Sequence, residues 1–206
     1  MNKTLKILKW TGIVLVSLFI LAEIIRLPFR LEEEKTKEQV AKIHATKLQF
    51  SDVLGENLPP DPGADADKTV PGIDANNNGI RDDVELAIFK EYPNSAKTRA
   101  VLLQYALALQ MEFIQPIVNK ETVTEVIREE DRASSCVSDT LVPRKSPESS
   151  RSDTDMEKIK VFINFIKKLQ INTKARDQAQ ADFYKNLSSY NSLDIICDID
   201  YSTLPN

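Results

Sequence analysis

The stretch from Asp74 to Glu85 reads DANNNGIRDDVE and matches every specified position of the twelve-residue calcium-loop pattern D-x-[DN]-x-[DN]-G-x5-E. A hard cation such as Ca2+ takes six to eight oxygens, and this spacing delivers them from positions 1, 3, 5, 7, 9 and 12. The expected ligands are Asp74, Asn76, Asn78, the carbonyl of Ile80, Asp82 and Glu85. Gly79 occupies position 6, where the bend needs a positive φ that a residue with a Cβ adopts only at a cost. The competing reading of the same residues is a solvated Asn-Gly turn capping the next helix.

The surroundings of the loop differ from those of a paired EF-hand. Pro59, Pro60, Pro62 and the pair Pro71-Gly72 lie upstream, so no helix can run into Asp74. Position 8, usually an apolar residue that meets a partner loop, is Arg81, and the chain contains no second copy of the pattern. The loop looks like the solitary, loop-then-helix calcium sites of dockerin-type and thrombospondin type 3 modules. Only Asp74, Asp82 and Glu85 are anionic ligands, which predicts a weak site, with Kd of roughly 10^-5 to 10^-3 M. Asp83 at position 10 faces away from the ion and favours the positive end of the following helix. Asp61, Asp65 and Asp67 read as a solvated acidic loop in preference to extra ligands.

At the N-terminus Lys3, Lys6 and Lys9 precede an uncharged run of 13 residues, Trp10 to Ala22, followed by Glu23 and Arg26. That length suits a signal-peptide core and falls short of the roughly 20 residues that span a bilayer comfortably. No small-x-small cleavage site follows, and Lys9 and Arg26 can snorkel from the two ends, so an uncleaved signal anchor is favoured over a cleaved, secreted form. Basic residues flank both ends, so charge does not set the orientation. A weak calcium loop would stay empty in the cytosol, and Cys136 and Cys197 could form a disulfide outside it, closing a loop of about 60 residues. Two buried thiols are the alternative. Both arguments place the chain beyond Arg30 on the extracytoplasmic side, in the periplasm or cell envelope. A lone His44 and two distant cysteines make a poor zinc site.

The elements that must hold the loop read as helices. The 206 residues contain only five glycines, few alternating apolar runs and a net charge of -4 without a basic face for nucleic acid. The expected organisation is a signal anchor over 1–30, a stalk or spacer helix over 31–50, a Pro-rich loop over 51–73, and the calcium loop with a mainly α bundle of about five helices over 74–206. Val84, Ala87 and Ile88 mark a first helix, stopped by Pro93. Asn94 or Ser95 caps a central one running toward Gln115, interrupted by Gln104 and Gln110. Asn119 begins a third, broken by the Ser- and Pro-rich stretch 138–152. Asp153 begins a fourth, and Asn172-Thr173 caps a fifth that extends through Leu187. Cys197 lies in a tail that a disulfide would pin.

The run Leu58-Pro59-Pro60-Asp61-Pro62-Gly63, then Gly72 through Glu85, with Gln104-Tyr105-Ala106 and Leu109-Gln110 beyond, resembles a group of bacterial exported or anchored helical proteins. They share a Pro-rich lead-in, one calcium-type loop and a helical body. The resemblance covers residues from about 45 onward; its specific motif is the loop, and it implies no activity. The chain carries no G-x-S-x-G elbow, H-E-x-x-H helix or Gly-rich phosphate loop, and Asp198 with Asp200 is a weak carboxylate pair. The expectation is therefore not an enzyme but an anchored helical protein with structural Ca2+, or a calcium-dependent module that docks on another envelope protein.

Overall fold

The computed structural model describes residues 3–146, 149–193 and 195–204, and the remainder, including the ends of the expected 1–30 and 74–206 segments, lies outside that description. The described chain is mainly helical, with no strand among the described residues. Helix α1 runs unbroken from Lys3–Ala45, so anchor and stalk are one rod of about 64 Å at 1.5 Å per residue. Its first half exposes Trp10, Leu15, Phe19, Ile24 and Phe29, and none of the described side chains there is buried against the body. Among the described residues it is the one helix long and apolar enough to cross a membrane, with a mean hydropathy of 2.1 over its most apolar stretch. Pro28 lies inside it and cannot donate to the preceding turn. Beyond that proline the character changes, and Thr36, Gln39 and Ile43 are buried on the body.

Five helices form that body: α3 Asp82–Glu91, α4 Ala96–Ile114, α5 Lys120–Leu141, α6 Asp153–Gln170 and α7 Lys174–Tyr184. Their starts follow from local capping. Ser95 accepts from the Thr98 amide, Asn119 from those of Glu121 and Thr122, Ser152 from Asp155 and Thr173 from Arg176. The ends differ from expectation. Helix α5 continues past Cys136 to Leu141, because Ala133, Val137 and Leu141 extend its inward stripe at four-residue spacing. Helix α7 stops at Tyr184 instead of Leu187, and the Ser188 amide turns to Thr124 Oγ1 on α5.

Helix α4 is the axis of the molecule. Its residues are buried nearly all round, Leu102, Leu103, Tyr105, Leu107 and Leu109 among them, and it packs on α3, α5, α6, α7 and a short helix, α2, at Phe50–Leu54. The two glutamines that break its apolar run bind the chain's irregular segments. Gln104 holds the tail through the Ile196 carbonyl (2.8 Å), the Asp198 amide (3.0 Å) and the Tyr201 hydroxyl (2.7 Å), and Gln110 donates to the Pro71 carbonyl (2.7 Å).

The segment expected as a plain loop is more structured than its prolines suggest. It opens with a short helix, α2 (Phe50–Leu54), and contains a 3-10 turn, Gly63–Asp67. Arg176 of α7, fully buried, gathers the carbonyls of Ala66 (2.6 Å), Thr69 (3.2 Å) and Val70 (2.9 Å) and pairs with Asp67. Cys136 and Cys197 lie at disulfide distance, sulfurs 2.13 Å apart, tying the tail to α5.

Candidate metal centre

The loop from Asp74 to Glu85 is closed by its own side chains. The Asp74 carboxylate accepts from the amides of Asn78 (3.1 Å) and Gly79 (2.9 Å), drawing the middle of the loop back onto its first residue. Asn78 Oδ1 accepts from the Ile80 amide at 2.8 Å, and the Asp82 carboxylate accepts from Ala75 at 3.0 and 3.2 Å. The bend uses two left-handed residues, Asn77 at φ 58° and Gly79 at φ 85°. A Cβ on Gly79 would come within 2.7 Å of Leu107 Cδ1, so both conformation and space require glycine there.

Glu85, on the first turn of α3 and only 1% exposed, points back into the loop. The side-chain amides of Asn76 and Asn78 both donate to its Oε2, each at 3.1 Å. Positions 3, 5 and 12 therefore converge on one point, and an amide rotated by half a turn presents its oxygen there instead of its nitrogen. Among the described residues, no three His, Cys, Asp or Glu side chains are gathered tightly enough to hold a metal ion. The reason lies in the donor set. Two of the six expected ligands are asparagines and one is the Ile80 carbonyl, while Asp74 and Asp82 are turned to loop amides.

The electrostatics of this corner are one-sided. Asp52 of α2 is buried, and burial first, then the charge of Asp74, raises its carboxyl above the ordinary range against the pull of the Gln49 amide. Asp82 is raised by burial and by the charges of Asp74 and Asp83. Burial, with smaller contributions from Asp52 and Asp82, pushes Glu85 up to about 7. Among the described residues, none of Asp52, Asp74, Asp82 and Glu85 forms an ion pair. Asp52 was invisible to the loop pattern because it lies 22 residues before Asp74; α2 carries it in, with Gly55 against Phe89 and the Asn57 carbonyl accepting from Asn76 at 2.9 Å.

Arg81 does not neutralise this group. It is fully buried, pairs with Asp83 (2.5 and 2.9 Å) and donates to the carbonyls of Leu169 (2.6 Å) and Gln170 (3.3 Å) at the end of α6. A cation at a helix C-terminus is favourably placed. Position 8, which in a paired hand meets a second loop, here docks the loop on a helix end, and Asp83 serves Arg81. Gly72, at φ 73°, leaves room for it, since a Cβ would sit 2.2 Å from Arg81 Cδ. The upstream acids have separate partners: Asp61 accepts from the Gly63 amide, Asp65 pairs with Lys68, and Asp67 with Arg176.

Two further clusters stand away from the loop. His44 is not simply solvated: Nδ1 lies 2.8 Å from Glu129 and Nε2 2.9 Å from Glu125, so the end of α1 is held between two α5 carboxylates. Glu129 also meets Lys47 and Arg132, and Arg132 pairs with Asp198 at 2.6 Å, beneath a cavity of about 430 Å³. Asp198 thus holds the tail, and Asp200 caps the Tyr201–Thr203 turn, so the two carboxylates have separate partners. In the core, the Tyr184 hydroxyl donates to Glu130 (2.7 Å) and lies 3.3 Å from Glu112, Tyr105 donates to Glu130 (3.2 Å), and Gln180 to Glu112 (2.7 Å). Burial, then the adjacent Glu130 charge, pushes Glu112 up to about 8. Set against protein families, curated proteins and solved structures, the chain matches none.

Proposed function

We propose that this is a membrane-anchored, extracytoplasmic helical protein whose loop at Asp74–Glu85 takes a structural Ca2+. The observation that carries the reading is the convergence of Asn76 and Asn78 on the buried Glu85 at a calcium-pattern loop, within the field of the nearby Asp52, Asp74 and Asp82 charges. Gathering buried like charges is costly unless one is protonated or a cation joins them. The oxygens would come from Asp74, Asn76, Asn78, Ile80, Asp82 and Glu85. The ion would fix the junction at which the Pro-rich segment, α3 and the end of α6 meet.

The exposed apolar half of α1 supports the anchor, and the disulfide-distance pair Cys136 and Cys197 supports an oxidising compartment. A second reading, a calcium-dependent interaction module of the envelope, is favoured by one feature. Phe50, Leu54 and Leu58 are each more than 40% exposed on and just after the helix that carries Asp52.

The test is the melting temperature of the full chain in detergent or nanodiscs, in millimolar calcium and in chelator. Calcium at 100 times Kd adds about 2.7 kcal/mol, and each kcal/mol is worth about 2–4 °C in a domain of this size. A rise of about 5–10 °C that the double variant Asp74→Ala, Glu85→Ala abolishes is the expected result. Equal melting in both buffers, with no calcium binding by calorimetry, would reduce the loop to a turn.

A further inference from the structure

The tail beyond α7 leaves an isoleucine in solvent beside a group of charges. It is fastened at two successive residues: the Ile196 carbonyl accepts from Gln104 Nε2 at 2.8 Å and from Arg132 Nη1 at 3.3 Å, and Cys197 lies at disulfide distance from Cys136. Ile196 packs on the core, while its neighbour Ile195 points away and is 78% exposed. A single exposed apolar residue needs no explanation in itself. Ile195, however, forms a wall of the cavity of about 430 Å³ together with Leu193 and Cys197, and His44, Lys47, Glu129, Arg132 and Asp198 complete the lining. That volume falls within the range of about 300–1,000 Å³ typical of small-molecule sites.

The charges of the lining are sorted by depth. The side chains of Glu129 and Asp198 are 1% exposed and that of Arg132 5%, whereas those of His44 and Lys47 are 35% and 33% exposed. Glu129 lies against His44 (2.8 Å), Lys47 (2.8 Å) and Arg132, and Asp198 lies against Arg132 (2.6 Å). The acids are therefore covered, and the groups that reach the opening are the two basic side chains. An ammonium has three hydrogens, and among the described residues those of Lys47 meet only Glu129 and, at 3.7 Å, Asp198. At least one hydrogen is left for a ligand. An anion entering the cavity is met by Lys47 at the rim, while a cation meets only carboxylates that already have partners.

We propose that this cavity binds a small organic anion with an apolar body, the anionic head on Lys47 and the body against Leu193, Ile195 and Cys197. The two sides of the lining select the two ends of the ligand. The exposed base favours a carboxylate over an ammonium, and the apolar wall favours a hydrocarbon or aromatic body over a polar one. None of the lining residues belongs to the loop at Asp74–Glu85, so the inference does not rest on the calcium reading.

Phenylbutyrate is the probe, because it joins a carboxylate to an apolar body; phenylbutanol and phenylbutylamine carry the same body with a neutral and a cationic head. The full chain, isotope-labelled and in nanodiscs, is titrated with each, and empty nanodiscs correct for partition into the bilayer. Backbone amide shifts locate the binding. The expected result is saturable shifts at residues 44–48, 129–132 and 195–198, with the acid bound about threefold to fivefold more tightly than the alcohol and the amine weakest. Lys47→Gln should bring acid and alcohol to equal affinity, and Lys47→Arg should restore the preference. Ile195→Ser, at an exposed position, should weaken both by about tenfold with the melting temperature unchanged. Shifts that are absent or fail to saturate in the wild type would overturn the site. Equal binding of amine and acid, or a preference for the acid that survives Lys47→Gln, would remove Lys47 as the anion's partner and overturn the proposal.

Discussion

Asp52 is the residue whose role the calcium reading most sharply defines. It caps its own helix, accepting from the Gln49 amide at 2.9 Å, and stands near enough to Asp74 and Glu85 for their charges to act on one another. An incoming divalent cation would relieve that repulsion whether or not Asp52 touches it. Asp52→Asn keeps the capping oxygen and removes the charge, so it should weaken calcium binding about tenfold, or about 1.4 kcal/mol, with ion-free melting unchanged or slightly raised. Calorimetric titration checks this; unchanged affinity would mean that Asp52 is electrostatically isolated from the ion. Glu112 illustrates the opposite arrangement, an acid whose burial beside Glu130 favours its neutral form. Its folded value of about 8 lies above the ordinary 4.5, so between those pH values the folded chain holds a proton that the unfolded chain releases. Its contribution to stability is complete below about pH 4.5 and is lost as pH rises toward 8. Glu112→Gln carries the donor and acceptor of the protonated acid, so it should raise the melting temperature at pH 8 by several degrees and change it little at pH 5. A thermal scan at the two pH values decides, and equal effects at both would mean that Glu112 is ionised in the fold. The loop from Asp74 to Glu85 could be singled out from sequence because its pattern of spacing is local. Asp52, the Arg81 bond to α6 and the Glu112–Glu130 pair were not, since each depends on which helices become neighbours.

The helices show the same division between local and distant causes. Ser95, Asn119 and Asp153 could be recognised as helix starts because a cap and the amide it satisfies lie within three residues. The ends were harder. The extension of α5 to Leu141 depends on the burial of Val137 and the packing of half-buried Leu141 on the core, and α1 reads as anchor plus spacer until Thr36, Gln39 and Ile43 are seen buried on the body. The tail from Ile195 onward is short and irregular, and its hold on α5 combines Cys136–Cys197 with the bonds of Gln104 and the Asp198–Arg132 pair. A disulfide across 61 residues contributes about 4 kcal/mol by the chain-entropy estimate. Reduction, or Cys136→Ser with Cys197→Ser, should lower the melting temperature by about 8–16 °C. Circular dichroism with and without reductant measures it; a drop of under 2 °C would mean that the polar bonds alone hold the tail.

At the scale of the whole molecule, the loop is a junction more than an appendage. Asn76 reaches the Asn57 carbonyl, Arg81 reaches the end of α6, and Gly79 packs beside Leu107 of α4. The segment before it is fastened separately, by Arg176 of α7 and Gln110 of α4. Removing an ion from such a node should therefore loosen a patch that is discontinuous in sequence. Hydrogen exchange of the full chain in chelator against calcium should show faster exchange at residues 50–57 and 74–91 and at the last turn of α6. Residues 64–70, held by Arg176, should change less. Helices α4 and α5, buried against each other, should exchange only through global unfolding in both buffers. The α1 contacts at Thr36, Gln39 and His44 lie on α5 and its capping corner, so the anchor should stay docked when the ion leaves. Changes confined to residues 74–85 would make the ion a local staple. Changes reaching the α1–α5 contacts would make it a switch on the anchor, because only coupling through α4 and α5 could carry the effect that far.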